Sequence, residues 1–361
     1  MKITVLGGGN GCYAAAADLT LAGHEVRLWR RDASRFADVL KNRTITMTDA
    51  SGSRPVTLSL ATTDLGQALE GAELVVIPLP ATAQEALATD LASLLAEGQV
   101  VFLPPGTFGG YLISRAMAEA GNGANVAFAE TGTLPWLARK HSESDVAISV
   151  RATRLPTGVL PARDSERALG IIRQAFPSVE PLSDLLDGTL MNAGPIIHPP
   201  LILMNAGPLE HFEAWDIHNE GTQPSIRRVT TALDEERMAL REALGYGAPH
   251  FPLADHYDDA RDEWMYGNSS HEKLTDSGDW REHIDLMTHR YMREDIALGL
   301  ALYVSLGNWA GLEMPVSRGL LAIASAVIGE DLRQTGRTWE NLGLAGLDRE
   351  GLRALLQEGP L

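Results

Sequence analysis

Short apolar runs alternate with helical patterns through the first half of the chain. The first run, residues 2–6, passes directly into glycines, and residues 12–23 then predict an alanine-rich helix that stops at Gly23. Residues 25–29 predict a second strand and residues 33–41 a second helix, which gives a βαβ unit. Further strands are predicted at 73–78, 99–103, 125–130 and 146–150, and further helices at 82–95 and 165–176. This alternation predicts a parallel sheet covered by helices on both faces.

The pattern changes near residue 183. Beyond it, long amphipathic patterns with helical period dominate, at 229–244, 295–307 and 315–328, and few stretches alternate as strands do. A chain of 361 residues is also longer than a single hydrophobic core usually serves. We therefore expect an α/β domain over residues 1–182 and an all-α domain over residues 183–361.

The glycines after the first strand carry a chemical signal. Gly7-Gly8-Gly9-Asn10-Gly11-Cys12 lies between a predicted strand and a predicted helix, which is the context of the Rossmann dinucleotide fingerprint. Gly7 allows the tight turn, and Gly9 lets the backbone approach a pyrophosphate at the helix N-terminus. Cys12 replaces the usual third glycine or alanine, although a thiol is still small. Gly7, Gly9, Asn10 and Gly11 are candidate cofactor residues, and a glycine turn without a ligand is the alternative.

The end of the second predicted strand bears on which dinucleotide is bound. Enzymes that use NAD usually place Asp or Glu there to bind the ribose hydroxyls, but this strand ends with Arg30 and Arg31, followed by Asp32. Arginines at this place suit the 2′-phosphate of NADP. NADP is the favoured cofactor and NAD stays open, because surface arginines at a strand end also occur without a ligand.

Composition indicates a globular protein outside the membrane. Hydrophobic residues make up 45% and charged residues 21%, and no apolar run approaches the roughly 18 to 20 residues that a membrane span needs. The chain opens on a strand and glycines rather than a secretory leader, so we expect it in the cytoplasm. Cys12 is the single cysteine, which excludes an internal disulfide and a multi-cysteine metal site. We expect no metal.

The formal net charge of −17 opposes binding to nucleic acid, which depends on clustered Lys and Arg. The same charge repels small anions over long range. An anionic substrate would therefore need individual basic residues to hold it.

Two segments of the helical half contain side chains suited to catalysis. His198 precedes Pro199 and Pro200, which predicts a helix start or kink, and Arg290 and Asp295 lie five residues apart at the beginning of an apolar helix. Each segment also has a plain structural interpretation. A histidine before proline is often a turn residue, and Asp295 could simply be a favourable charge at a helix N-terminus.

Five segments in order resemble the opine dehydrogenase family, which includes octopine and nopaline dehydrogenases and the bacterial enzyme that makes N-(1-carboxyethyl)-norvaline. They are GGGNG at 7–11, PPGTFGG at 104–110, NAGPIIHPP at 192–200, RYMREDIALGL at 290–300 and GRTWENLGLAGL at 336–347. The resemblance covers nearly the whole chain. It implies reductive N-alkylation, in which the amine of an L-amino acid is joined to the carbon of a 2-oxo acid such as pyruvate.

By this resemblance, His198 is the general acid/base, Asp295 orients it and Arg290 binds a substrate carboxylate. Condensation passes through a carbinolamine whose hydroxyl leaves as water, and a group that titrates near neutrality can supply the proton. A carboxylate on the other ring nitrogen fixes the tautomer. A guanidinium can hold a carboxylate by two parallel hydrogen bonds, which offsets the repulsive net charge.

Two other functions stay open at this point. A ketone or 2-hydroxy acid reductase of the glycerol-3-phosphate dehydrogenase or ketopantoate reductase type would need a catalytic lysine, and none of the lysines lies in the helical motif. A sensor that holds a dinucleotide without turnover would not need an acid/base pair. The amino substrate is undetermined, although aromatic and acidic residues between 209 and 270, such as Trp215 and Asp258, are candidates for its pocket. We expect a homodimer, because a helical domain with this much apolar surface can support one.

Overall fold

The structure is a computed structural model that describes residues 1–258, 260, 264–267 and 281–360. The chain divides into two compact units, one formed by Met1–Thr189 together with Leu352–Leu361 and the other by Leu190–Gly351. The sequence placed the boundary between residues 182 and 183 and gave the C-terminus to the second domain, so the observed units differ at both places.

Packing explains both differences. Gly188 lies so close to Gly158 that a Cβ atom on Gly188 would be 2.8 Å from the Gly158 nitrogen, which ties residues 185–189 to the sheet of the first unit. At the other end of the chain, Leu352 and Leu356 are buried and Glu358 pairs with Arg163, so the last turns return to the first unit.

The first unit contains twelve strands and seven α-helices among its described residues. The strands are β1 (Lys2–Leu6), β2 (Glu25–Trp29), β3 (Thr44–Asp49), β4 (Gly52–Thr57), β5 (Leu60–Thr62), β6 (Leu74–Val76), β7 (Val100–Leu103), β8 (Ala127–Thr131), β9 (Trp136–Lys140), β10 (Asp145–Arg151), β11 (Leu155–Leu160) and β12 (Val179–Pro181). The helices are α1 (Asn10–Leu21), α2 (Ala37–Asn42), α3 (Leu65–Leu69), α4 (Gln84–Leu91), α5 (Gly109–Glu119), α6 (Ser165–Ala175) and α7 (Leu185–Thr189).

The main sheet has eight strands in the order β12-β11-β8-β7-β6-β1-β2-β5. The six strands from β5 to β8 are parallel, and β11 runs antiparallel to β8. Among those six, the chain order reads 3-2-1-4-5-6, which is the Rossmann arrangement and confirms the predicted α/β class. The order reverses beside β1, so the carboxyl end of β1 is where ligands bind in such sheets.

A second sheet of four strands, in the order β4-β3-β10-β9, was only partly predicted. The predicted strand at 146–150 is β10 of this sheet, whereas β3, β4 and β9 were missed. The β3–β4 hairpin alternates buried Ile45 and Met47 with more exposed threonines, so a period-two pattern was present. The helix predicted at 33–41 begins only at Ala37.

Helix α1 lies against the sheet with its alanines. Ala14, Ala15, Ala16 and Ala17 are fully buried, which small side chains permit because they let helix and sheet approach closely. The helix ends beside Gly23, whose φ of +92° is readily reached only by glycine, as the sequence predicted. The first turn of α1 is thereby fixed directly after the glycine loop.

The second unit is mainly helical, as predicted. Its helices are α8 (Gly194–Leu203), α9 (Ala206–His211), α10 (Pro224–Leu244), α11 (Tyr291–Leu300), α12 (Ala301–Ala310), α13 (Pro315–Ile328) and α14 (Leu332–Thr335), and α15 (Arg349–Glu358) starts at its end. Two strands of two residues each, Trp215–Asp216 and Arg281–Glu282, form an antiparallel pair that the sequence did not indicate. In the described part of the chain, no helix is both long and apolar enough to cross a bilayer.

Candidate active site and cofactor site

The glycine loop leaves its backbone open where a dinucleotide would approach. Gly7 follows β1 with a φ of +119°, a conformation that favours glycine, and Gly9 precedes the first residue of α1. A Cβ atom on Gly9 would meet no atom within 4 Å, so free space lies directly above the backbone at the helix N-terminus. The N–H groups of this first turn can bind a pyrophosphate there, which fits a dinucleotide cofactor.

Cys12 fills the position that is usually glycine or alanine in the fingerprint. Its side chain is fully buried, and Sγ lies 3.5 Å from the Leu6 carbonyl oxygen and 3.6 Å from that of Pro78. Burial raises the pKa of the Cys12 thiol to about 12. The thiol therefore stays protonated and acts as a small packing group between helix and sheet.

The two arginines after β2 have different surroundings. Arg30 covers Gly8, since a Cβ atom on Gly8 would lie 2.5 Å from the Arg30 Nε. Arg31 is exposed. The side chain of Asn10 is occupied within the protein, because its Oδ1 accepts a hydrogen bond of 3.0 Å from the backbone N–H of Lys140. Gly7, Gly9, Gly11 and Arg30 thus surround the first turn of α1, and Arg31 lies at the surface beside them.

A strained loop follows β7 at the same edge of the sheet. Thr107 and Phe108 both have positive φ, 104° and 62°, which side chains larger than glycine rarely adopt. The carboxylate of Glu130, at the end of β8, accepts hydrogen bonds from the backbone N–H groups of Thr107, Phe108 and Gly110 at 2.8–3.1 Å. Burial raises the pKa of Glu130, and these N–H groups and the Thr189 hydroxyl oppose that rise. Glu130 therefore holds the PPGTFGG loop in its conformation.

The catalytic candidates of the second unit lie on α8 and α11. His198 is inside α8, with Pro199 and Pro200 in the helix interior, so of the two predicted positions, a helix start or a kink, the helix start is wrong. Helix α11 has π geometry, in which backbone hydrogen bonds join residues five apart. This winding brings Arg290, which precedes Tyr291, within about one turn of Asp295.

Close glycine contacts let the two helices meet. A Cβ atom on Gly194 would lie 2.2 Å from Oδ1 of Asp295, and one on Gly299 would lie 2.3 Å from Cγ of Pro195. Neither position tolerates a side chain unless the backbone moves. The glycines of the NAGP and IALGL segments are therefore explained by the approach of α8 to α11.

His198 and Asp295 form the central contact. Nδ1 of His198 lies 2.7 Å from Oδ2 of Asp295, and the exposed fractions of the two side chains are 14% and 8%. The Tyr291 ring stacks on the imidazole at a centroid distance of 3.8 Å and an angle of 18°. The His218 ring approaches edge-on at 6.0 Å. The imidazole is thus fixed in its plane by Tyr291 and along one edge by Asp295.

Electrostatics favour neutral forms in this pair. Burial lowers the pKa of His198 well below its usual value, and the charge of Arg290 lowers it further. Burial raises the pKa of Asp295 to about 7, against the effect of Arg290. Since Nδ1 and Oδ2 share a short hydrogen bond, the two groups titrate as one coupled unit.

Arg290 lies beside this pair with its guanidinium partly in solvent. Its side chain is 54% exposed, Nη1 lies 3.9 Å from Oε2 of Glu294, and the guanidinium carbon is 4.9 Å from the centroid of the Tyr291 ring. The structure therefore brings Arg290, His198 and Asp295, the residues of the expected catalytic set, close together. The sequence did not single out Tyr291 or His218, and only the packing of α8 against α11 reveals the stacked ring.

Comparison with known proteins assigns each half of the chain. Residues 181–328 match a family described as NAD/NADP octopine/nopaline dehydrogenase, alpha-helical domain, and residues 2–106 match the N-terminus of NAD-dependent glycerol-3-phosphate dehydrogenase. An opine dehydrogenase from Arthrobacter sp. (strain 1C) is 29% identical over 360 residues, which are 98% of each chain. The chain is therefore similar to opine dehydrogenases over nearly its whole length, and its helical half carries the octopine/nopaline dehydrogenase domain.

Solved structures agree on the fold. An octopine dehydrogenase structure with NADH and pyruvate superposes on this chain with a TM-score of 0.73 at 18% identity, covering 99% of this chain and 98% of the other. A yersinopine dehydrogenase with NADP⁺ bound gives a TM-score of 0.67 at 14% identity, with 99% and 98% covered. Both matched domains are those of nicotinamide-dependent dehydrogenases, and the chain is an NAD(P)-dependent oxidoreductase.

Proposed function

We propose that this protein is an opine dehydrogenase that uses NADPH in preference to NADH, condenses an L-amino acid with pyruvate or a similar 2-oxo acid, and moves protons through His198. The observation that carries the catalytic proposal is the buried 2.7 Å contact between Nδ1 of His198 and Oδ2 of Asp295. Nδ1 is occupied by this contact, whereas Nε2 forms no hydrogen bond with the described residues. Nε2 is therefore the nitrogen available to a substrate.

Each residue has a distinct task in the proposed reaction. Nε2 of His198 gives a proton to the carbinolamine hydroxyl, which leaves as water and yields the iminium ion. Asp295 accepts the Nδ1 proton in a hydrogen bond and stabilises the charged ring. Arg290, half exposed beside the pair, binds a substrate carboxylate with its guanidinium. The glycine loop around Gly7 and Gly9 would hold the reduced dinucleotide, which when bound would supply the hydride that reduces the iminium carbon.

The decisive experiment measures oxidation of NADPH and NADH with pyruvate alone and with pyruvate plus each L-amino acid of a panel. We expect turnover only when amine and keto acid are both present. Turnover with the keto acid alone would instead indicate a simple ketone reductase. This alternative is considered because residues 2–106 match the N-terminus of NAD-dependent glycerol-3-phosphate dehydrogenase. The product's stereochemistry follows from the same reactions by chiral chromatography.

The preferred amino acid is the least constrained part of the proposal. Trp215 lies near the beginning of the range expected to line the amino-substrate pocket, where its ring stacks on Phe212 and its Nε1 donates to Oδ1 of Asn205. Residues 259, 261–263 and 268–270 of the predicted range lie outside the described residues. The substrate panel therefore includes basic, apolar and aromatic amino acids.

The coupled pair of His198 and Asp295 predicts opposite pH dependence in the two directions. Condensation needs the protonated pair, and because the pKa of Asp295 is about 7, kcat at saturating amino acid should fall as pH rises through that region. Oxidation of the opine needs the deprotonated pair and should rise over the same interval. Rate profiles from pH 5 to 9 in both directions check this, and parallel profiles would contradict the proposed acid/base role of the pair.

The coenzyme preference should depend on Arg30 and Arg31. Replacing both by alanine removes charged hydrogen-bond donors, each worth about 1.5–3 kcal/mol, so KM for NADPH should rise at least about 10-fold. KM for NADH in the same variant serves as the internal control and should change little. An unchanged ratio of the two coenzymes would show that these arginines do not bind the 2′-phosphate.

We also propose that the enzyme is a homodimer in the cytoplasm. Ile323 is 53% exposed and Val327 37% exposed, one turn apart on α13, and together they offer an apolar face for a second copy. Light scattering of the protein as it elutes from a size-exclusion column measures its molar mass. The mass of a monomer would contradict the proposed dimer. The proposed substrates, a reduced coenzyme and free amino acids, support a cytoplasmic location. Cell fractionation tests this location.

A further inference from the structure

Lys140 reaches the glycine loop from the second sheet of the first unit. It is the last residue of β9, and its Nζ donates a 3.2 Å hydrogen bond to the carbonyl oxygen of Gly8. Nζ also lies 3.6 Å from the centroid of the Tyr13 ring, while the Lys140 backbone N–H binds Asn10. Three contacts therefore fix this lysine against the first turn of α1.

Two cations meet at Gly8. Arg30 covers the Cα of Gly8 on one side, and Lys140 binds its carbonyl oxygen. Neither side chain forms an ion pair with a carboxylate among the described residues. The nearby Asp32 is bound instead to the backbone N–H and hydroxyl of Ser34, at 2.9 and 2.7 Å. The net charge of the chain is −17, yet here two cations lie at one glycine without an ion-paired carboxylate among the described residues.

The local electrostatics give this arrangement a cost without a ligand. Burial lowers the pKa of Lys140, and the neighbouring Arg30 lowers it further, whereas the Glu143 carboxylate raises it. A bound anion would oppose the lowering, since it would attract both cations and stabilise the charged form of Lys140. The site is therefore better suited to an anion than to the free state.

We propose that Lys140 and Arg30 together bind the 2′-phosphate of NADPH. This inference rests on the proposed use of NADPH. The N-terminus of α1 provides the backbone N–H groups for the pyrophosphate, so the cations are not needed for that group. Arg30 follows β2 at the place where other dinucleotide enzymes bind the ribose 2′-hydroxyl, and Lys140 shares Gly8 with it.

The test is a binding measurement without amino acid or keto acid. Titration calorimetry compares adenosine 2′,5′-bisphosphate with adenosine 5′-diphosphate on the wild type, on Lys140→Met and on Lys140→Arg. We expect Lys140→Met to weaken the bisphosphate about 10-fold or more, because one charged hydrogen bond is lost, and to leave the diphosphate unchanged. Lys140→Arg should recover most of the loss. Lys41→Met, at an exposed lysine of α2, is the matched control.

Two results would overturn the inference. An equal loss for both ligands would place Lys140 at the pyrophosphate or in the structure of the loop, and no loss would remove it from the site. If Lys140→Met does not fold, reductive methylation of lysines in the wild type tests the proposal instead. Mass spectrometry then measures the extent of methylation at Lys140 and, as the control, at Lys41. Saturating bisphosphate should protect Lys140 while diphosphate should not, and equal protection would contradict the proposal.

The same data separate this inference from the proposed function. If the wild type binds bisphosphate no better than diphosphate, the preference for NADPH itself is wrong. If the wild type prefers the bisphosphate and Lys140→Met keeps that preference, only the role of Lys140 fails. Neither comparison uses the amino acid or the keto acid, so both are independent of the substrates of the reaction.

Discussion

Replacing His198 by glutamine should lower kcat for condensation by about 10²- to 10⁴-fold, the usual contribution of a general acid. Glutamine keeps a polar side chain of similar length inside α8, but it cannot give up a proton near neutral pH. Steady-state rates with amine and keto acid at saturation measure the loss, and fluorescence titration with NADPH confirms that the coenzyme still binds.

His211→Gln is the matched control for this experiment. His211 is exposed at the end of α9, so the same substitution there should leave kcat unchanged. Turnover of His198→Gln within a few-fold of the wild type would remove His198 from the acid role. The plain interpretation of a histidine before proline would then be correct.

The second large effect is expected for Asp295→Asn, with kcat lower by about 10³-fold. An amide can offer its nitrogen to Nδ1, which favours the wrong tautomer and removes the negative charge that stabilises the protonated ring. Asparagine does not titrate, so the rate profile should also lose its midpoint near pH 7, which the pKa of Asp295 sets. Rates of both reaction directions between pH 5 and 9 give both readouts.

Glu294→Gln distinguishes this role from a general effect of charge. Glu294 precedes Asp295 in α11 and its Oε2 lies 3.9 Å from Nη1 of Arg290, but it does not contact His198 through any described hydrogen bond. We expect its replacement to change kcat by less than about 10-fold and to leave the pH midpoint in place. Equal losses in the two variants would mean that both carboxylates act only as charges near the helix N-terminus.

The stack of Tyr291 on His198 adds a constraint to the proposed mechanism. A ring 3.8 Å from the imidazole holds its plane, and the hydrogen bond to Asp295 holds its rotation within that plane. Together they aim Nε2 in one direction before substrate binds. Such prior orientation lowers the barrier because the acid need not reorganise during proton transfer.

Local signals made much of the first unit predictable. A strand, a glycine with positive φ and a helix follow one another within the first 21 residues, so backbone geometry and residue type carry the information directly. The second sheet was harder, because its strands are separated in sequence and pair through β3 and β10. Parallel pairing between distant segments leaves no local sequence mark.

The sequence by itself determined the βαβ unit that opens the first domain, the glycine loop, the arginines after β2 and the family motifs that contain His198 and Asp295. Each of these is encoded within a few neighbouring residues. Only the tertiary structure decided that His198 and Asp295, 97 positions apart, share a hydrogen bond, and that Lys140 binds Gly8 from 132 positions away. Such contacts depend on the register of packed elements and on the π winding of α11, and these arise from many weak interactions that no short segment specifies.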